Sequence, residues 1–100
     1  MRIEAVELKG LLEADRDALL LVALELDRAR QLFPPFRSPH EGYAVILEEL
    51  DELWAEVRAK KNDYRRQAEA REAVQVAAMA VKFLSDLCDS YIDTPPPPPR

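Results

Sequence analysis

The chain has 100 residues, a formal net charge of −5 and hydrophobic residues at 48% of its positions. A chain of this size forms one domain with a modest core, and the presence of only two glycines favours helices. Its acidic balance argues against binding a nucleic acid polymer. The first residues lack the pattern of a signal peptide, and no uncharged apolar run reaches the roughly 18 residues needed to cross a bilayer. We therefore expect a cytoplasmic protein with no membrane partner.

Two helical patterns precede the first prolines. In residues 2–13 the pattern is weak and broken at Gly10, which predicts a short helix or an irregular arm. From Asp15, interpreted as an N-cap, to about residue 33, leucines and alanines recur at helical spacing and predict a helix with a broad apolar face. The Pro34-Pro35 pair ends this helix.

The second predicted helix has the clearest start signal in the sequence. Ser38 stands at the N-cap, Pro39 at the first helical position and Glu41 at the third position of a capping box. These residues predict a helix over residues 39–61. Its apolar stripe falls within about 60° of the Leu50 direction in projection down the axis. The stripe consists of Tyr43, Ile46, Leu47, Leu50, Leu53, Trp54 and Val57.

The last helix is predicted over residues 64–92, after a break at Asn62 and a cap at Asp63. Between Ala73 and Leu84 it is apolar nearly all the way round, so it has to be covered on several sides. A monomer of three helices covers such a helix poorly. We therefore expect a homodimer or a homotetramer, the closed assemblies that proteins form most often.

The domain organisation follows from these elements. Residues 1–93 form one all-α domain, and residues 94–100 form a disordered polyproline tail, because consecutive prolines cannot continue a helix. The predicted fold is a helical hairpin preceded by an N-terminal helix. Oligomerisation completes its bundle.

Carboxylates form a ridge beside the apolar stripe of the second helix. Glu49 and Glu52 are three residues apart, so their Cβ atoms lie roughly 5–6 Å from each other and the two side chains can share one hard cation. Glu56 continues the ridge. An ordinary solvated acidic face is the alternative, because Glu is a good helix former.

Few polar residues interrupt the apolar stretch of the last helix, and in projection they fall within about 80° of one another. They are Glu72, Gln75, Lys82 and Asp86. An unpaired buried carboxylate is costly, and a metal shared with Glu49 and Glu52 would give Glu72 a partner. Alternatively, Glu72 pairs with Arg66 or Arg71. Gln75 then bonds to a neighbouring helix.

Two short motifs carry a family resemblance. Residues 48–52 read Glu-Glu-Leu-Asp-Glu, and after a spacer of 19 residues, residues 72–75 read Glu-Ala-Val-Gln. The pair resembles the EExxE and ExxD motifs of the MazG-like all-α nucleoside triphosphate pyrophosphohydrolases. The resemblance covers residues 38–87. It implies a MazG-like bundle that binds Mg²⁺ or Mn²⁺ between two helices and hydrolyses a nucleoside triphosphate to a monophosphate and pyrophosphate.

The resemblance also implies roles for single residues. Glu49, Glu52 and Glu72 would bind the metal, and Glu48 would be a further ligand or the catalytic base that orients water. Gln75 stands where the family has Asp; its amide oxygen can coordinate a metal but brings no charge.

The basic segment that usually grips phosphate is absent, so only Lys82 lies in a direction to contact the substrate phosphates. The sequence leaves two functions open. One is a metal-dependent nucleotide pyrophosphohydrolase. The other is a non-catalytic helical-bundle interaction protein that keeps the same fold.

Overall fold

The computed structural model describes residues 10–59, 63–92 and 99. Within them lie three α-helices and no strand, which confirms the all-α prediction. They are α1 (Glu13–Leu32), α2 (Pro39–Val57) and α3 (Asp63–Leu87), and one turn of 3-10 helix follows at Asp89–Tyr91. The predicted arm before Gly10, the break at Asn62 and nearly all of the predicted proline tail lie outside the described residues. No described helix is long and apolar enough to span a membrane.

The start of α1 differs from the prediction. Leu12 is the N-cap, so the assignment of this role to Asp15 is wrong. Asp15 lies in the first turn, where its Oδ2 atom accepts a hydrogen bond from the backbone N–H of Leu12 at 3.0 Å. This is the return bond of a capping box, and a negative charge there is favoured by the helix dipole. The helix ends as predicted before Pro34, with Phe33 in an extended conformation.

The start of α2 agrees with the prediction in all but one bond. Ser38 Oγ accepts a hydrogen bond from the backbone N–H of Glu41 at 3.1 Å, and Pro39 occupies the first turn. The Glu41 carboxylate does not return to Ser38; it binds the backbone N–H and the guanidinium of Arg37 at 3.2 and 3.0 Å. The helix ends at Val57 rather than at residue 61, because Arg58 and the residue after it form a tight final turn.

The last helix, α3, carries the other two. Among the described helices, α1 and α2 each pack against α3 but not against each other, so a cleft remains between them with α3 as its floor. Ala29, Phe36, Ala78 and Met79 form the buried core beneath the cleft. α3 ends at Leu87 and not at residue 92, because the backbone leaves the helical conformation at the next residue.

Close approach of α2 to α3 depends on Gly42. A Cβ atom at this position would lie 2.6 Å from Cδ2 of Phe83 and 3.2 Å from Cδ2 of Phe36. The buried side of α2 is therefore the Gly42 side, which is turned by about 80° from Leu50 toward Glu49. The acidic ridge thus lies against α3.

Much of the apolar stripe of α2 stays exposed as a result. Tyr43 is 64% exposed and Trp54 is 58% exposed, whereas Ile46 packs against the core. A groove joins this stripe to the outer side of α3. We call the combined surface the outer apolar face; it consists of Tyr43, Leu47, Leu50, Trp54 and Val57 from α2 with Ala80 and Leu84 from α3.

Candidate metal centre

Three glutamates from two helices meet near one end of the hairpin. Glu49 and Glu52 of α2 and Glu72 of α3 each offer one carboxylate oxygen, and these oxygens lie within 4.8 Å of one another. Glu49 and Glu52 are three residues apart, so their side chains lie on the same side of α2. Oxygens bound to one Mg²⁺ ion at about 2.1 Å are roughly 3–4 Å apart, so small side-chain rotations would bring this cluster to that spacing.

The electrostatics of this glutamate cluster fit a divalent cation. Burial and the negative charges of Glu52, Glu72 and Glu48 raise the pKa of Glu49 to about 7. Burial and the charge of Glu52 also raise the pKa of Glu72. A bound cation would favour the ionised carboxylates and relieve their repulsion.

Two of the other three residues predicted in the site, Glu48 and Gln75, lie beside the cluster. Together with Glu49, both line the cleft between α1 and α2, a cavity of about 660 Å³. Gln75 interacts across the cleft with α1: hydrogen bonds from Arg28 and, less strongly, from Gln75 lower the pKa of Glu25. Gln75 thus lies near Glu25 of α1, and its role as a metal ligand stays a prediction.

Lys82 lies at the opposite end of the cleft and is 1% exposed. Its Nζ donates hydrogen bonds to the carbonyl oxygen of Pro34 at 2.9 Å and to Oδ2 of Asp86 at 2.8 Å, and it lies 3.8 Å from the centre of the Phe36 ring. Two of its three N–H donors are therefore bound within the protein. In this arrangement the ammonium ties α3 to the turn after α1. A contact between Lys82 and the substrate phosphates stays a prediction.

Charged residues that belong to neither sequence motif also line the cleft. Arg28 Nε donates to Oε2 of Glu25 at 2.9 Å, and Arg37 pairs with Glu41 at the opposite end. In the sequence, Glu25 and Arg28 look like an ordinary i, i+3 surface pair of one helix. Only the packing of α1 on α3 brings them opposite the acidic ridge.

The chain was compared with models of known protein families, with characterised proteins and with solved structures, and no match was found. The chemistry of the cleft is therefore the basis for a function. Glu49 of the glutamate cluster lines this cleft, an arginine lies on the facing helix, and the volume is within the usual range for small-molecule sites.

Proposed function

We propose that the protein is a metal-dependent nucleotide pyrophosphohydrolase that uses Mg²⁺ or Mn²⁺ to convert a nucleoside triphosphate to a monophosphate and pyrophosphate. The observation that carries the proposal is the meeting of Glu49, Glu52 and Glu72 beside a cleft of nucleotide size. The resemblance of residues 48–52 and 72–75 to the MazG-like motifs supports the same reaction and supplies the substrate class.

The proposal gives each residue of the site a separate role in the reaction. Glu49, Glu52 and Glu72 hold the cation. A divalent cation at that place would lower the pKa of a water molecule and neutralise charge on the phosphates. Glu48, which precedes Glu49 and lines the cleft, is the general base that receives a proton from the attacking water. Gln75 is not a metal ligand in this proposal, because it lies near Glu25 of α1, to which its amide can donate.

The test is pyrophosphate release from a panel of ribo- and deoxyribonucleoside triphosphates in the presence of Mg²⁺ or Mn²⁺. We expect turnover by the wild type and a loss of about 100-fold or more in Glu52→Gln, because charge stabilisation of the transferring phosphate is lost. Asp51→Asn is the matched control, since it removes a carboxylate from the neighbouring position outside the glutamate cluster. No release by a folded wild type would contradict the proposal.

The outer apolar face favours a second candidate, a non-catalytic bundle that binds another protein. Its aromatic residues Tyr43 and Trp54 are more than half exposed, which is typical of an interaction surface. An interaction protein needs no cation. If neither Mg²⁺ nor Mn²⁺ binds the wild type, the glutamate cluster is a solvated acidic face and this second function replaces the first.

A further inference from the structure

The cleft needs a cationic residue if it is to bind phosphates, because a triphosphate carries several negative charges and the walls already include Glu48 and Glu49. Lys82 is committed to Pro34 and Asp86. Two guanidinium groups remain on the cleft walls, those of Arg28 and Arg37. They differ in their distance from the glutamate cluster.

Arg37 lies at the end of the cleft that is far from the glutamate cluster. It precedes α2 and pairs with Glu41, and along the helix Glu41 lies about 12 Å from Glu49. Arg28 lies nearer the glutamate end. It pairs with Glu25, both residues line a pocket between α1 and α3 together with Gln75, and Gln75 lies one turn from Glu72 on α3.

We propose that Arg28 binds the phosphates of the ligand beside the cation, and that Glu25, which lies near Gln75, holds the guanidinium in place until the ligand arrives. This inference rests on the proposed function and deepens it. Gln75 is then a positioning residue. Its amide can donate to Glu25, whereas the Asp usual at this place in the family would set a second carboxylate against it.

The geometry suits an exchange of partners. Nε and Nη2 of Arg28 lie 2.9 and 2.5 Å from the two oxygens of Glu25, a forked arrangement that phosphate oxygens can replace one for one. The side chain of Arg28 is 56% exposed, so the exchange demands little desolvation. Glu25 is 13% exposed and lies near Gln75, whose amide can donate to it once Arg28 leaves.

Calorimetric titration with inorganic triphosphate in the presence of Mg²⁺ tests the proposal. Arg28→Gln should weaken binding by about tenfold or more, and Arg28→Lys should weaken it less. Arg37→Gln and Arg16→Gln remove the same charge from the other end of the cleft and from the start of α1, and each should change affinity by less than about threefold.

Glu25→Gln should change the triphosphate affinity in the opposite direction from Arg28→Gln. A purely structural role of Glu25 would not give this result. Freeing Arg28 from its carboxylate should tighten triphosphate binding by about threefold or more, whereas Asp17→Asn, the charge-matched control on α1, should change it less. Weaker binding in Glu25→Gln would overturn the holding role of Glu25.

A separate titration with Mn²⁺ alone separates the two proposals, because it reports on the glutamate cluster without phosphate. If Mn²⁺ binds the wild type but Arg28→Gln keeps the wild-type triphosphate affinity, or Arg37→Gln loses it instead, the role of Arg28 is overturned and the proposed function stands. If Mn²⁺ does not bind at all, the proposed function fails and the role of Arg28 fails with it.

Discussion

Lys82 Nζ and Asp86 Oδ2 lie 2.8 Å apart in an ion pair whose side chains are 2% and 4% exposed. The same carboxylate accepts hydrogen bonds from the backbone N–H of Phe36 at 2.9 Å and from Arg30 at 2.8 Å. Burial alone would raise the pKa of Asp86, but these bonds outweigh it and lower the pKa to about 2. Since Lys82 also binds the carbonyl of Pro34, the pair fixes the turn between α1 and α2 onto α3.

Lys82→Met should lower the free energy of unfolding by about 2 kcal/mol, because the buried Asp86 carboxylate then keeps only one of its two cationic partners, Arg30. Urea denaturation monitored by circular dichroism measures the change. Lys82→Met combined with Asp86→Leu should cost less than Lys82→Met alone, since no buried charge then lacks a partner and Arg30, which loses its carboxylate, is 37% exposed. A loss below about 0.5 kcal/mol in the single variant would show that the pair does not hold the turn.

Divalent cations should stabilise the fold if the glutamate cluster binds them. A ligand that binds only the native state adds about 2.7 kcal/mol at a hundredfold excess over Kd. We expect the melting temperature to rise with Mn²⁺ or Mg²⁺ and to return with a chelator. The rise should vanish in Glu49→Gln and persist in Asp51→Asn. An equal rise in Glu49→Gln would place the cation elsewhere.

The raised pKa of Glu49 predicts how stability depends on pH without a cation. Its pKa rises from an ordinary 4.5 to about 7 on folding, so between these values the folded protein binds the proton more tightly than the unfolded chain does. The free energy of unfolding should therefore fall as pH rises from about 4.5 to 7 and then level off.

Glu49→Gln should reduce the decrease in the free energy of unfolding between about pH 4.5 and 7. Saturating Mn²⁺ should reduce the same decrease in the wild type, because the cation favours the ionised carboxylates. Urea midpoints measured at several pH values test both expectations. Asp51→Asn should keep the wild-type slope. A wild-type curve that rises over this interval would contradict the assigned repulsion.

Local signals in the sequence predicted local structure well. Ser38 and Pro39 start α2 because the cap is completed within one turn, and Pro34 stops α1 for the same short-range reason. The ends of α2 and α3 were predicted four and five residues too late. Their termination depends on backbone turns without a Gly or Pro signal at Arg58 and Cys88.

The site was only partly predictable. Glu49 and Glu52 are near each other by helical spacing alone, and the motif spacing suggested Glu72. The phosphate contact of Lys82 stays a prediction. A projection down the axis ignores height: Lys82 falls within about 80° of Glu72 in projection but lies about 15 Å along the helix from it. Arg28 lies on another helix, and no local pattern relates it to the site.

The outer apolar face should make the protein a dimer. Several large side chains on it, including Trp54 at 58% and Leu84 at 51% exposure, lie on one surface of the hairpin, and a self-complementary surface is most simply buried by two-fold pairing. Light scattering should report about twice the chain mass of 11.4 kDa.

Leu50→Glu should yield a helical monomer, whereas Leu24→Glu, an equally drastic change on exposed α1 surface, should stay dimeric. A monomeric wild type at micromolar concentration would contradict the prediction.

The proximity of Gln75 to Glu25 affects what Asp at position 75, the residue of the MazG-like motif, should do. Gln75→Asp places a carboxylate one turn from Glu72, where it can face the cation. The same change removes an amide that can donate to Glu25 and sets two carboxylates against each other. We therefore expect the single variant to raise Mn²⁺ affinity by less than about threefold and to lower the melting temperature.

Combining Gln75→Asp with Glu25→Gln should separate these effects. The new amide at position 25 can donate to one oxygen of the new carboxylate, which leaves the other oxygen for the cation and keeps the number of charges unchanged. Mn²⁺ affinity should then rise by about tenfold over the wild type. The double variant should also exceed the product of the single effects, because the two side chains are in contact. Additive effects in a Mn²⁺ titration of all four proteins would show that Gln75 and Glu25 act independently, and that the position of Gln75 is not set by α1.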